Sequence, residues 1–110
     1  MSPTVKHADL LRLLYKAKPK VRKAILANAD PSVIRSICEC CYNVLKGNVP
    51  MSKSQKARLR RYKNTLRFMV DRSRGLQQKK KRIVVQQGGF LPALLAPIIG
   101  GVLSSLILPK

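Results

Sequence analysis

Hydrophobic residues recur every three to four positions from Val5 to about Arg72, the spacing that gathers them on one face of an α-helix. This pattern predicts an all-α fold, a small bundle of about four helices. The predicted helices cover 5–17, a short segment after Pro19, the segment between Asp30 and Gly47, and 52–72.

Three boundaries of these helices have recognisable local signals. Asp30 followed by Pro31 is a favourable start, because an Asp side chain accepts hydrogen bonds from the first backbone N–H groups and Pro fits the first turn. Gly47 suits the position just after a last turn. Ser52 with Gln55 three residues later matches a capping box. These signals delimit the third and fourth predicted helices.

The pattern changes after the fourth predicted helix. Residues 1–72 are predicted to be the helical bundle, and 73–87, which contain a compact basic run, are predicted to be a basic linker. Residues 88–110 are predicted to be an apolar tail that contains Gly and Pro, and 90–108 hold nineteen residues without a charge.

The apolar tail has three alternative explanations. A straight helix of its length would reach about 28 Å, barely enough to cross the hydrocarbon core of a bilayer. The tail could anchor the chain in a membrane, disrupt a membrane when released, or be buried against a partner such as the inner wall of a protein shell. The side chains expected to contact the membrane or partner are Phe90, Leu91, Leu94, Leu95, Ile98, Ile99, Val102, Leu103, Leu106, Ile107 and Leu108.

Length and charge narrow the function further. The chain has 110 residues, which leaves room for one small domain and a tail. Its 23 Lys and Arg against 4 Asp and Glu give a formal net charge of +19, while 45% of residues are hydrophobic. Such a charge indicates a polyanionic partner, either nucleic acid or an anionic membrane surface. One His, one Glu and three Asp are too few for most acid–base or metal sites, so we expect neither an enzyme nor a bound cofactor or metal.

The three cysteines, Cys38, Cys40 and Cys41, lie within four residues of one another. A clustered odd set argues against a secreted disulfide framework and favours a reducing compartment. We expect Cys38 and Cys41, one helical turn apart, to be small core residues, with Cys40 outside the apolar stripe.

Positive charge is concentrated in one block of the chain. Residues 47–82 carry thirteen Lys and Arg and a single acid, Asp71, whereas 83–109 carry no charge. In the fourth predicted helix the cations between Lys56 and Arg67 repeat at spacings of four, three and four, which forms a cationic stripe beside an apolar one. The residues predicted to bind DNA are Lys53, Lys56, Arg58, Arg60, Arg61, Lys63, Arg67, Arg72, Arg74, Lys79, Lys80, Lys81 and Arg82.

The end of the basic block leads into a recognisable motif. The segment from Lys79 to Leu108 combines a basic tract, a Gly-Gly-Phe-Leu-Pro motif at 88–92, and a run of Leu, Ile, Ala and Pro. This arrangement resembles the C-terminal half of the adenovirus core protein X family, the precursors of the mu peptide. The whole chain resembles proteins of Polinton and adintovirus-type elements, which join a helical basic region to a similar tail. The adenoviral basic part is dominated by Arg and His and is barely structured, so the helical pattern here departs from it.

The resemblance implies a virion protein that condenses the double-stranded DNA genome in the capsid interior, and hence a location in the virion interior and the host nucleus. It also implies a second partner, a viral cysteine protease that cuts after a Gly-Gly pair, usually with an aliphatic residue four positions before the cut. That fourth position is Gln86 at the first pair and Ile98 at the second. Flexibility or helix interruption is the alternative explanation of both pairs. The cleavage residues so implied are Gly88, Gly89 and Phe90, or Gly100, Gly101 and Val102.

Two functions follow as hypotheses. The first is a virion core protein that binds and condenses double-stranded DNA without sequence specificity, because no zinc finger, RNA-recognition motif or recognition-helix signature is present. Tyr62 and Phe68 are the aromatic residues among the cations, and we expect base stacking by them to be minor. The alternative is a membrane-active or tail-anchored minor virion protein that inserts its apolar C-terminus. A cellular ribosomal or chromatin protein is disfavoured by the apolar tail.

Overall fold

Residues 7–103, which the computed structural model describes, fold into six α-helices and one π-helix, with the backbone alone described for 101–103. The all-α class is thereby confirmed for these residues, with more helices than the predicted four. The elements are α1 (Ala8–Lys16), α2 (Pro19–Ala27), α3 (Pro31–Leu45), α4 (Lys53–Arg60), α5 (Lys63–Val70), α6 (Leu76–Pro97) and the π-helix (Ile98–Leu103).

The longest helix, α6, lies at the centre of the bundle. It spans 22 residues and packs against all five other α-helices, while α3 also packs against α5. Its side chains Phe90, Leu91, Leu94 and Leu95 are fully buried. The other elements contribute to the same core the fully buried Leu11, Leu14, Leu26, Ile34, Ile37, Met69 and Ile98.

The basic linker predicted for 73–87 and the apolar tail predicted for 88–110 are wrong for residues 76–97, which form the continuous helix α6. The basic run 79–82 belongs to the first turns of that helix, and the apolar residues after it fill the middle of the bundle. Five helices contact α6, so most of its apolar side chains after Gly89 are removed from water within the chain itself. Residues 104–110 of the predicted tail lie outside the described part.

Two prolines lie within α6, where they would normally interrupt a helix. Pro92 has no N–H to donate to the carbonyl of Gly88, and Gly88 is exposed, so water can reach that region of the backbone. Pro97 is the last residue of α6, and the chain continues as the π-helix. Pro92 is partly buried and lies one turn after the exposed Gly88, and Pro97 lies at the helix end.

The single helix predicted for 52–72 is two helices, because the chain breaks at Arg61 and Tyr62. Tyr62 precedes α5 with φ −109° and ψ 23°, outside the helical range. The packing partner changes at this break. Helix α4 packs against α6, whereas α5 packs mainly against α3. It also places the Tyr62 ring edge-on against Phe90 of α6, with centroids 5.7 Å apart.

The local boundary signals are largely confirmed. The Gln55 backbone N–H donates to Ser52 Oγ over 3.2 Å, and the Ser52 N–H donates to Gln55 Oε1 over 2.9 Å, completing the capping box. Gly47 has a φ of +77°, the left-handed conformation expected after α3. Asp30 is the residue before α3 and Pro31 is its first residue, but the Asp30 side chain makes no capping hydrogen bond.

The cysteine prediction was right for Cys41 and wrong for Cys40, since both side chains are fully buried and Cys38 is only partly so. Helix α3 packs against α5 on one side and α6 on another, so its buried face is wider than a single stripe. Burial raises the pKa of the Cys38 thiol and raises the pKa of Cys41 well above its usual value, so both are neutral thiols at pH 7.

The buried Arg22 connects α1, α2 and α6 through hydrogen bonds. Arg22 of α2 is 3% exposed and donates from Nε to the carbonyl of Leu14 over 2.7 Å and from Nη2 to that of Ala17 over 2.7 Å. From Nη1 it reaches the backbone carbonyl and the side-chain Oε1 of Gln87, at 3.1 and 3.2 Å. Arg22 thus satisfies the carbonyls at the end of α1 and fixes α2 to α6.

Candidate nucleic-acid interface

The thirteen cations predicted to bind DNA lie on α4, the break after it, α5, the loop after α5 and the first turns of α6. Ten of them are exposed, whereas Lys79 is buried and Lys80 and Arg82 are partly buried. The exposed set is Lys53, Lys56, Arg58, Arg60, Arg61, Lys63, Arg67, Arg72, Arg74 and Lys81.

Carboxylates neutralise very little of this charge. Among residues 7–103, ion pairs join only Arg12 to Asp9 at 3.5 Å and Arg74 to Asp71 at 3.7 Å. Both pairs are one helical turn or less apart in sequence and lie at the protein surface, where such pairs contribute little to stability. The positive potential over α4 and α5 is therefore open to an external anion.

Helix α4 is anchored to the bundle by one side chain. Leu59 is its only buried residue, at 3% exposure, and its four cations all point to solvent. The capping box secures its first turn, and the cations Arg58 and Arg60 in its last turn interact favourably with the helix dipole. A short helix rich in cations is thus held in place without any acidic side chain.

A groove lies where α4 meets α5. It has a volume of about 290 Å³ and is open to solvent. Its apolar part comes from Met51, Leu59 and Leu66, and its rim carries three cations. Those cations are Lys56, Arg60 and Lys63, the first three members of the predicted cationic stripe.

A second, separate groove has a volume of about 470 Å³. It lies between α2 and α6. Its lining residues are Ala27, Gln77, Lys80, Lys81, Val84 and Val85.

Two of the predicted cations have positions inside the fold. The side chain of Lys79 is 8% exposed. Lys80 Nζ donates to the carbonyl of Ala29 over 3.2 Å, which links the start of α6 to the turn between α2 and α3. Their neighbour Lys81 is exposed. Within the basic run, Lys79 is therefore buried, Lys80 connects α6 to a neighbouring turn, and Lys81 faces solvent.

The ring of Phe68 in α5 contacts two of the predicted cations. The guanidinium carbon of Arg74 lies 5.0 Å from the ring centroid, and that of Arg82 lies 4.7 Å away. These are cation–π contacts between α5, the following loop and α6. Sequence reasoning did not assign Phe68 to the site, because Arg82 is fourteen positions away and only the fold brings it near.

Asp71 organises the loop that carries Arg74. Its carboxylate accepts hydrogen bonds from the Ser73 hydroxyl at 2.7 Å and the Ser73 backbone N–H at 2.9 Å. These two bonds are the main reason that the pKa of Asp71 is lowered. Asp71, the one acid within the basic block, thus stabilises the conformation of this loop through its hydrogen bonds with Ser73.

The residues implied as cleavage sites lie on helices. Gly88 and Gly89 are exposed on α6, and Phe90, which follows them, is fully buried. Gly100 is exposed in the π-helix, where Gly101 and Val102 are described by their backbone alone.

The residues expected to contact a membrane or partner are mainly in the core. Phe90, Leu91, Leu94, Leu95 and Ile98 are buried, and Ile99 is partly buried. Leu103 belongs to the π-helix by its backbone, and Leu106, Ile107 and Leu108 lie outside the described residues. By length and composition alone the segment Leu76–Gly100 is long and apolar enough to cross a membrane. Half of its most apolar stretch is buried inside the protein.

The described residues contain no group of three His, Cys, Asp or Glu side chains that could hold a metal ion. Comparison with protein-family models, with characterised proteins and with solved structures gives no match. The family resemblance therefore rests on the sequence of the basic tract and the segment after it.

Proposed function

We propose that this protein binds double-stranded DNA through its cationic surface without reading the base sequence. The observation that carries the proposal is the set of ten exposed cations between Lys53 and Lys81, with Asp71 as the one acid in that stretch of sequence. Lys and Arg neutralise backbone phosphates and release bound counterions, which supplies affinity independent of sequence.

The shape of the surface supports phosphate contacts over base contacts. Helix α4 has eight residues and exposes cations on most of its circumference, with Leu59 alone buried. It offers few of the Asn and Gln side chains that read base edges in the major groove. We expect contacts to phosphate to dominate, with little preference among sequences.

The viral setting is a separate part of the proposal. Condensation of a genome inside a virion, a host nuclear location and processing by a viral cysteine protease are all carried by the resemblance of the Gly-Gly-Phe-Leu-Pro segment. A protein with a charge of +19 would suit such a role, because it would neutralise the phosphates of closely packed DNA.

Membrane insertion is the weaker alternative. The side chains that would enter the bilayer, Phe90, Leu91, Leu94 and Leu95, fill the core of the bundle. Insertion would require α6 to leave the other helices and expose their apolar faces to water. Flotation with vesicles that contain phosphatidylglycerol tests this directly, and insertion without loss of the folded bundle would contradict our account.

The proposal is tested by fluorescence anisotropy with two labelled duplexes of unrelated sequence. We expect similar affinities for both. The variant Lys56→Gln/Arg60→Gln/Lys63→Gln removes the three positive charges at the rim of the groove between α4 and α5, and we expect it to weaken duplex binding about tenfold or more.

The matched control removes the same charge from another surface. Lys16, Lys20 and Lys23 are exposed residues of α1 and α2, and the variant Lys16→Gln/Lys20→Gln/Lys23→Gln should have a smaller effect. Equal losses in the two variants would contradict the location of the site, and absence of duplex binding by the unmodified protein would contradict the function.

A further inference from the structure

Two arginines that are distant in sequence share one aromatic ring. Arg74, in the loop before α6, and Arg82, on α6, both have their guanidinium carbons within 5.0 Å of the centroid of the Phe68 ring. Phe68 itself is partly buried on α5 and packs against the core. The ring therefore gives both cations a fixed support on the protein surface.

Their charges are poorly compensated by the protein. Arg74 has Asp71 at 3.7 Å, but that carboxylate is already engaged by the two hydrogen bonds from Ser73. Arg82 has no ion pair within the described residues, and its buried Nε finds no hydrogen-bond acceptor there. Two like charges held on one ring would be stabilised by an anion that contacts both.

We propose that Arg74 and Arg82, supported by Phe68, form a binding site for one phosphate of the DNA backbone. This inference rests on the proposed function and adds to it a defined phosphate contact and a positioning residue. Guanidinium groups suit the task because their planar N–H groups bind phosphate in pairs, which an ammonium group does not do. Phe68 acts through the two arginines and does not itself stack on bases.

The test compares Phe68 variants, which leave the charge unchanged. Phe68→Leu removes the ring, and we expect it to weaken duplex binding about threefold to tenfold at constant salt. Phe68→Tyr keeps the ring and should retain the affinity of the unmodified protein. Thermal unfolding of both variants shows whether the bundle remains folded during the measurement.

Arginine variants test the same site without altering the core. Arg82→Lys keeps the charge and loses the planar group, so it should weaken binding, whereas Arg35→Lys, at an exposed position of α3 outside the site, should not. In the double variant Arg74→Gln/Arg82→Gln, the slope of log affinity against log salt should fall by about 0.9, the value for one phosphate. A fall of about 1.8 would mean two separate phosphates and would overturn the shared site.

The outcomes separate this inference from the proposed function. If the unmodified protein binds duplex DNA with a steep salt dependence but folded Phe68→Leu and Arg82→Lys bind equally well, only the shared phosphate site is wrong. If the unmodified protein does not bind duplex DNA, the proposed function fails and this inference fails with it.

Discussion

Tyr62 lies directly over Gly89, so that its hydroxyl occupies the space that a side chain at position 89 would need. An added Cβ would contact the Tyr62 hydroxyl oxygen and lie 3.1 Å from its Cζ. The same Tyr62 ring packs edge-on against Phe90. The second Gly of the Gly-Gly-Phe-Leu-Pro motif thus has a packing role in the fold, which is independent of any role in cleavage.

Replacing this glycine should destabilise the bundle. Gly89→Ala would displace Tyr62 from its contact with Phe90, and we expect a loss of about 1–3 kcal/mol in the free energy of unfolding measured in urea. Gly88→Ala is the matched control, because nothing lies within 4 Å of an added Cβ there, and Ala should stabilise the helix by about 0.5–1 kcal/mol. Tyr62→Phe should restore part of the loss in Gly89→Ala. Equal effects at positions 88 and 89 would contradict this packing.

Cleavage near this motif should be slow in the folded protein. Proteases bind an extended segment, whereas the Gly89–Phe90 bond is inside α6 and Phe90 is buried. We expect chymotrypsin to cut after Phe90 only on unfolding, so the rate of that cut should rise with urea together with the fraction unfolded. Mass spectrometry of the fragments identifies the site. Rapid cutting after Phe90 in buffer alone would show that α6 opens locally.

Arg22 should be essential to stability although it pairs with no carboxylate among residues 7–103. Its guanidinium donates to backbone carbonyls at the end of α1 and to Gln87, and a lysine cannot reach these acceptors together. Arg22→Lys should therefore lower the free energy of unfolding by about 1.5–3 kcal/mol. The exposed Arg35 supplies the control, since Arg35→Lys should change stability by less than about 0.5 kcal/mol. A neutral effect of Arg22→Lys would mean that these hydrogen bonds contribute little.

The buried thiol of Cys41 should make stability fall at alkaline pH. Burial raises its pKa well above 9.0 in the folded state, whereas the unfolded thiol ionises near its usual value. The folded state holds the proton more tightly, so this contribution is present below pH 9.0 and is lost as pH rises toward the folded pKa. Urea unfolding at increasing pH should show a decline that Cys41→Ala reduces. Identical pH profiles for the two proteins would contradict the burial of this thiol.

Features that depend on a few neighbouring residues could be predicted from the sequence. The capping box of Ser52 and Gln55 and the left-handed Gly47 involve contacts within one or two turns, so their signals are local. The concentration of cations is likewise a property of the sequence. The exposure of each cation is not, because Lys80 and Lys81 differ only in the direction they face on α6.

Features that depend on distant segments could not be predicted in this way. The apolar residues after Gly89 have no polar face, a property shared by a membrane helix and by a helix enclosed in a bundle. Only the packing of the five other helices against α6 shows which applies here. Arg22 and Gln87, which form a hydrogen bond, are 65 positions apart in the sequence. The cation–π contact of Arg82 with Phe68 likewise exists only because the fold brings the two residues together.

The salt dependence of duplex binding tests the central claim most directly. Fluorescence anisotropy between about 50 and 200 mM salt should show the affinity falling about 10³-fold, as expected for roughly six phosphate contacts. Two duplexes of unrelated sequence should give the same slope. A flat salt dependence, or a strong preference for one of the two sequences, would contradict the account.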